Sequence, residues 1–171
     1  MGSCKILGID PGLASTGWGV IEAAGNRVRH VEHGTIETGA EMPHSKRLAA
    51  IYDGVRAVIE KHKPDEAAIE TLYFARNVTS ALTVSEARGV VLLALEQAGL
   101  PVFEARPDDI KKAVVGIGRA EKAQVQEMVK ILLALDELPK PDHAADALGA
   151  AICAANNRGE RAYKMGVFDK G

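Results

Sequence analysis

The chain opens with a short apolar run, Lys5 to Asp10 (K-I-L-G-I-D), that stops at Pro11-Gly12 and reads as a buried strand. Gly17 to Glu22 and Arg27 to Glu37 carry further strand-type stretches. In the second of these, Val28, Val31, Thr35 and Ile36 sit among polar residues, with Gly25-Asn26 and Gly34 as turn or bulge signals. Short turns make these three strands sequential and antiparallel. Ser45 to His62 switches to a helical period, with Leu48, Ile51, Tyr52, Val55, Val58 and Ile59 on one stripe and Pro64 as its stop. Glu66 to Glu70 is a short strand that leaves through a loop, Thr71 to Asn77. Ala81 to Ala98 is a second helix, apolar on most sides through Val90-Val91-Leu92-Leu93, which suits a central position or a subunit contact.

Pro101 to Glu104 is strand-like, and Pro107 opens a helix through Val115 that Gly116-Ile117-Gly118 breaks. Glu121 to Leu135 is helical, with Val125, Met128, Val129, Leu132 and Leu133 on one face. After Pro139-Lys140-Pro141 a last helix runs from Asp142 to about Asn156, its stripe made of Ala144, Leu148, Ala151, Ile152 and Ala155. The small residues Gly149 and Ala150 are expected to let this helix approach the strands. The pattern predicts an α/β domain over residues 1–157, a mixed five-stranded sheet flanked by helices. Residues 158–171 read as a basic tail outside the folded domain.

Composition narrows the class. At 171 residues the chain fits one domain, and 47% hydrophobic with 26% charged residues excludes wholesale disorder. Cys4 and Cys153 lie far apart with no neighbouring Cys/His cluster, which argues against a zinc site or disulfide framework and for a reducing cytoplasm. No apolar run reaches the ~18 residues a membrane span needs. The net charge of −2 means that any grip on nucleic acid must come from local clusters of bases. Screening limits each charge to about 8–10 Å.

Three acids stand out by position. Asp10 and Glu70 each end an apolar strand, and Asp146 sits one turn into the final helix on the polar side of its stripe. An ionised carboxylate beside apolar strands is costly unless paired or metal-bound. Three together would repel one another unless divalent cations lay between them. Oxygen ligands suit Mg²⁺ or Mn²⁺, and a pair of such ions promotes in-line phosphoryl displacement. Any single acid at a strand end is more often a turn or cap residue, so both readings stand at this point. His143 precedes Asp146 by three residues and shares its helix face, a spacing that favours metal ligation over a surface histidine. Asp142, following Pro141, is expected to cap the helix.

Six segments in order resemble one family, the RuvC-type Holliday-junction resolvases. They are G-I-D-P-G-L-A-S-T-G-W-G-V-I (Gly8 to Ile21), A-I-E (Ala68 to Glu70), S-A-L with E-A-R-G-V (Ser80 to Leu82, Glu86 to Val90), P-V-F-E (Pro101 to Glu104), V-V-G-I-G-R-A-E-K (Val114 to Lys122) and A-A-D-A-L (Ala144 to Leu148). The resemblance implies an RNase H-like fold and a homodimer. It also implies symmetric cutting of four-way DNA junctions in recombination and repair, and loading by a branch-migration motor of the RuvA and RuvB type.

By position, Asp10, Glu70 and Asp146 fall on three members of the family's acidic tetrad. The fourth position departs from the usual D-A-A-D, because this chain has His143-Ala144-Ala145-Asp146. Imidazole suits Mn²⁺ better than Mg²⁺, so two divalent cations per subunit are expected, with Mn²⁺ favoured. Asp142 is the alternative source of a fourth oxygen ligand.

Lys111 and Lys122 match family positions implicated in DNA contact and catalysis, and Gly116 and Gly118 would let backbone amides approach phosphates. Arg76 and Arg119 are further candidates for DNA contact. Tyr73 matches an aromatic that stacks on a base near the cut, with core packing beside Phe74 as its ordinary alternative.

Other readings compete. The sugar-kinase, chaperone and actin ATPases begin similarly but need a second phosphate-binding domain for which this length leaves no room. An RNase H-like nuclease on another nucleic acid, such as one processing ribosomal RNA, is closer. A catalytically weakened junction-binding module is the third, with His143 marking a decayed site.

Overall fold

The computed structural model describes residues 2–71 and 78–164. Strands β1 (Cys4–Asp10), β2 (Ser15–Ala24) and β3 (Arg27–Glu37) form an antiparallel meander. β4 (Glu66–Glu70) then pairs parallel with β1, and β5 (Val102–Ala105) parallel with β4, giving the order β3-β2-β1-β4-β5. The helices are α1 (His44–His62), α2 (Val78–Gln97), α3 (Pro107–Val115), α4 (Lys122–Leu132) and α5 (Asp142–Lys164).

Strand alternation divides the interior in two. Leu7, Ile9, Val20, Ala67 and Ile69 point to one face and pack with Ile51 and Val55 of α1 and with Ala87, Val91 and Leu95 of α2. Ile6, Ile21 and Ala68 point to the other face, against Leu148, Ala151 and Ile152 of α5 and residues of α3 and α4. Asp10 and Glu70 keep step with Ile6 and Ala68, so both carboxylates emerge on the α5 face. The register Ile9↔Ile69 sets them side by side at the ends of neighbouring parallel strands.

The helix ends follow from their sequences. Pro107 occupies the first turn of α3, with Asp108 and Asp109 beside it, where negative charge meets the helix dipole. Gly116 closes α3 at φ 92°, a left-handed conformation suited to glycine, and its N–H bonds to the Lys112 carbonyl at 2.9 Å. A reciprocal capping box between Glu121 and Gln124 fixes the start of α4, which makes Lys122 its first helical residue.

Three sequence expectations need correction. The last helix runs to Lys164 rather than about Asn156, because the polar residues beyond that point change which surface the helix presents without breaking it. Gly149 faces α3, where an added Cβ would lie 3.3 Å from Ile110 Cγ2, so it does not mediate the approach to the strands. Glycines on the strands themselves supply the small residues instead. Leu132, expected on the buried face of α4, is 37% exposed at the helix end, whereas Leu133 is buried. Cys4 and Cys153 are both buried and neither forms a disulfide, and burial pushes the Cys4 thiol up to about 11. Among the described residues, no helix is long and apolar enough to cross a membrane.

Candidate active site

The seating of α5 on the sheet creates the site. A Cβ added to Gly8 would strike the Ala147 carbonyl, one at Gly17 the His143 carbonyl, and one at Gly19 the Leu148 side chain. Glycine at these β1 and β2 positions lets the helix backbone rest directly on the strands. The opposite faces of the same strands carry bulky Ile9, Trp18 and Val20. Gly17 pairs with Asp10 in the β1–β2 ladder, so the glycine beneath His143 also places that histidine beside Asp10.

His143 Nδ1 lies 2.7 Å from Asp10 Oδ2. Asp10, His143 and Asp146 each offer a ligand atom, and these atoms lie within 4.8 Å of one another. Glu70 stands beside this trio rather than within it. Burial above all, and then the charges of Asp10 and Asp146, push the Glu70 carboxyl up to about 7, against the opposing pull of Lys111 and Lys122. Asp10 is also raised, by burial first, with the His143 hydrogen bond opposing the rise and the Asp146 charge adding to it. The protein thus holds these two carboxylates where their ionisation is unfavourable. Hard oxygen donors with one imidazole fit Mg²⁺ or Mn²⁺ by chemistry.

Lys122 faces these acids. Its Nζ donates to Asp146 Oδ2 at 3.1 Å and lies 3.5 Å from Asp142 Oδ2. Partial burial would lower the ammonium, but the two carboxylates outweigh it and raise it. Asp142 is the first residue of α5 and points its carboxylate at Lys122, which places it outside the acidic trio. The expected capping bond is replaced by this pairing across to α4.

Two cavities flank Glu70 and Pro107. One, of about 220 Å³, has Glu70, Lys111, Lys122 and Asp146 around Ile110 and Val125. The other, of about 230 Å³, is lined by Asp10, Glu70, Thr71, Val84 and Arg88. Lys111 lines the first of these cavities with Glu70 and Lys122, while Arg119 is exposed on the α3–α4 connection and does not line either cavity. Tyr73 and Arg76 lie outside the described residues.

Sequence reasoning missed the glycine floor. Its signal is present in β2, where Gly17 and Gly19 alternate with Trp18 and Val20, so one face of the strand is bare while the other is bulky. Arg88, within E-A-R-G-V, carries no functional signal of its own in the sequence, and only the fold reveals that it shares a cavity with Asp10 and Glu70.

Known proteins share both the sequence and the fold. Residues 6–154 match the family described as crossover junction endodeoxyribonuclease RuvC. The crossover junction endodeoxyribonuclease RuvC of Treponema denticola is 58% identical over 151 residues, covering 88% of this chain and 85% of its own. The Thermus thermophilus RuvC structure superposes with a TM-score of 0.83 at 34% identity, covering 95% of this chain and 96% of that one. T. thermophilus RuvC in complex with a Holliday junction substrate gives a TM-score of 0.84 at 35% identity, with 89% and 93% of the two chains covered.

Proposed function

The chain belongs to the RuvC family of crossover junction endodeoxyribonucleases, and from that membership and its site we propose that it resolves four-way DNA junctions by metal-dependent phosphodiester hydrolysis. One observation carries the reading. Asp10 and His143, 133 residues apart, meet with Asp146 in one acidic cluster, and Glu70 stands beside it. The fold matches that of a relative solved with a Holliday junction.

Asp10, Glu70, His143 and Asp146 hold two divalent cations per subunit in this reading, with Mn²⁺ favoured over Mg²⁺ by the imidazole. Bound there, the cations supply Lewis-acid stabilisation and an activated water for in-line displacement. Lys122 holds the Asp146 carboxylate in place, and offers its remaining donors to the phosphate under attack. Lys111, on the rim of the same cavity, and Arg119, farther out on the surface, hold the backbone of the cut strand. Tyr73 stacks on a base beside the cut, and Arg76 contacts the neighbouring backbone.

Cutting a junction symmetrically requires two sites facing two strands. α2 supports a homodimer, because Leu82 and Leu93 are 60% and 51% exposed and recur on one face with Glu86 and Gly89. A branch-migration motor of the RuvA and RuvB type is the proposed partner that delivers the junction.

The test compares cleavage of a four-way junction, the matching duplex, single-stranded DNA and a structured RNA, each with Mn²⁺, Mg²⁺ or chelator. Paired nicks confined to the junction and dependent on metal support the reading. Preference for an RNA substrate would move the chain to another RNase H-like activity. Tight junction binding without nicks in either metal would make it a binding module.

A further inference from the structure

Arg88 sits on α2 with its side chain only 17% exposed, yet it lines the cavity that contains Asp10 and Glu70. Of the carboxylates among the described residues, Glu104 on β5 is the one paired with it, through Nη2; neither Asp10 nor Glu70 lies within ion-pair distance. The Arg88 Nε–H is buried and has no hydrogen-bond partner among the described residues. A guanidinium carries five donors in a fixed planar fork, and the Glu104 bond occupies one of them. A residue serving only to tie α2 to β5 would gain by pairing its other donors, since a buried donor without a partner costs free energy. Instead the fork is anchored at one corner while its side chain borders the acidic cavity.

The two cavities on either side of Glu70 have matching chemistry. Each combines the shared carboxylate with cationic side chains, Lys111 and Lys122 on one side and Arg88 on the other. A DNA strand crossing Glu70 presents phosphates in sequence, and a single cationic flank would leave one of them without a counter-charge. We propose that Arg88, oriented by Glu104, binds a backbone phosphate of the cleaved strand on the Asp10 side of Glu70, opposite the lysine flank. This rests on the junction-cutting reading and adds a second phosphate subsite to it. Planar, multidentate phosphate contact is what distinguishes arginine from lysine in such a place.

The experiment measures junction affinity of the full-length chain against KCl at fixed Ca²⁺, with the DNA checked for integrity afterwards. Removing one phosphate-binding cation reduces the slope of log affinity against log salt by ~0.7–0.9. Arg88→Met is expected to lower the slope by that amount for each subunit engaged, with Arg88→Gln replacing it should the methionine variant not fold. Arg88→Lys keeps the parental slope with weaker binding. Glu104→Gln removes a negative charge next to the phosphate and leaves the guanidinium, so it binds at least as tightly as the parent with the same slope. A purely structural pair predicts the opposite pattern, in which Arg88→Met and Glu104→Gln weaken binding together and leave the slope unchanged. That result overturns the proposal while the parent still binds. A parent that binds no junction at all overturns the functional reading as well.

Discussion

Oδ2 of Asp10 and Nδ1 of His143 lie 2.7 Å apart across 133 residues of sequence. The contact joins the last residue of the first strand to the start of the last helix, and Gly17 makes it achievable by letting the His143 backbone settle on β2. The imidazole therefore reaches the acidic cluster through helix placement, and it contributes nitrogen where a carboxylate would contribute oxygen.

That nitrogen predicts a metal preference. Mn²⁺ tolerates an imidazole ligand better than Mg²⁺ does. Initial cleavage rates are expected to be higher in Mn²⁺ for the parent, and His143→Asp should narrow the difference. Equal rates in the two metals for both proteins would remove the idea.

Glu70 gives a pH dependence with a defined sign. Its folded-state carboxyl is raised from 4.5 to about 7, so in that window the folded protein binds a proton that the unfolded chain has released. Unfolding free energy must then fall as pH rises from the ordinary glutamate range to about 7, and the contribution stays absent above it. Melting temperatures of chelator-treated protein should decline across that range. Glu70→Gln should flatten most of the decline while abolishing cleavage. An unchanged decline in the variant would show that the carboxyl is not the group responsible.

Lys122→Met separates positioning from metal retention. The lysine donates to Asp146 and would face the substrate phosphate, so its loss should reduce the cleavage rate ~10²–10³-fold. Divalent affinity, measured by calorimetry, should hold or rise because a competing cation has gone. A parallel fall in metal affinity and rate would reassign Lys122 to maintaining the metal site.

Gly8→Ala tests the glycine floor away from the reacting groups. The new Cβ meets the Ala147 carbonyl, which is backbone and cannot rotate aside. Urea unfolding should report a loss of about 1–3 kcal/mol or more. A neutral substitution would mean that α5 can lift from the sheet at little cost.

Leu82→Glu combined with Leu93→Glu addresses assembly. Both side chains are more than half exposed on one face of α2, so charge there should leave the fold intact. Sedimentation should then find monomers, and paired nicking should become single. A dimer that survives both changes would place the interface elsewhere.

Much of this architecture was legible in the sequence. β3, β4 and α3 begin and end at the residues that the hydrophobic pattern and the Pro and Gly stops indicate. Asp10 and Glu70 were readable because an acid that ends an apolar strand conflicts with its surroundings. The helix-to-sheet contact was less so. Gly149 looked like the residue that brings α5 close, but which neighbour a small residue faces depends on helix rotation, and here it faces Ile110. The far end of α5 was obscured because Arg158 and Gly159 weaken the apolar stripe, although the stripe signals burial rather than helicity. Arg88 was invisible for a related reason. A mid-helix arginine reads as solvated surface until the strand bearing Glu104 is placed next to it.

The burial of α5 divides the site into halves of different stiffness. From Ala144 to Ala154 every residue except Asp146 is buried, so Asp146, and the backbone of His143 just ahead of this segment, are held against strands whose ends carry Asp10 and Glu70. Lys122 projects from the outer end of α4 with its side chain 54% exposed. On the proposed function, accommodation of crossovers that differ in bend would fall to this exposed cationic side, while the packed acidic side would keep one geometry for every strand it receives.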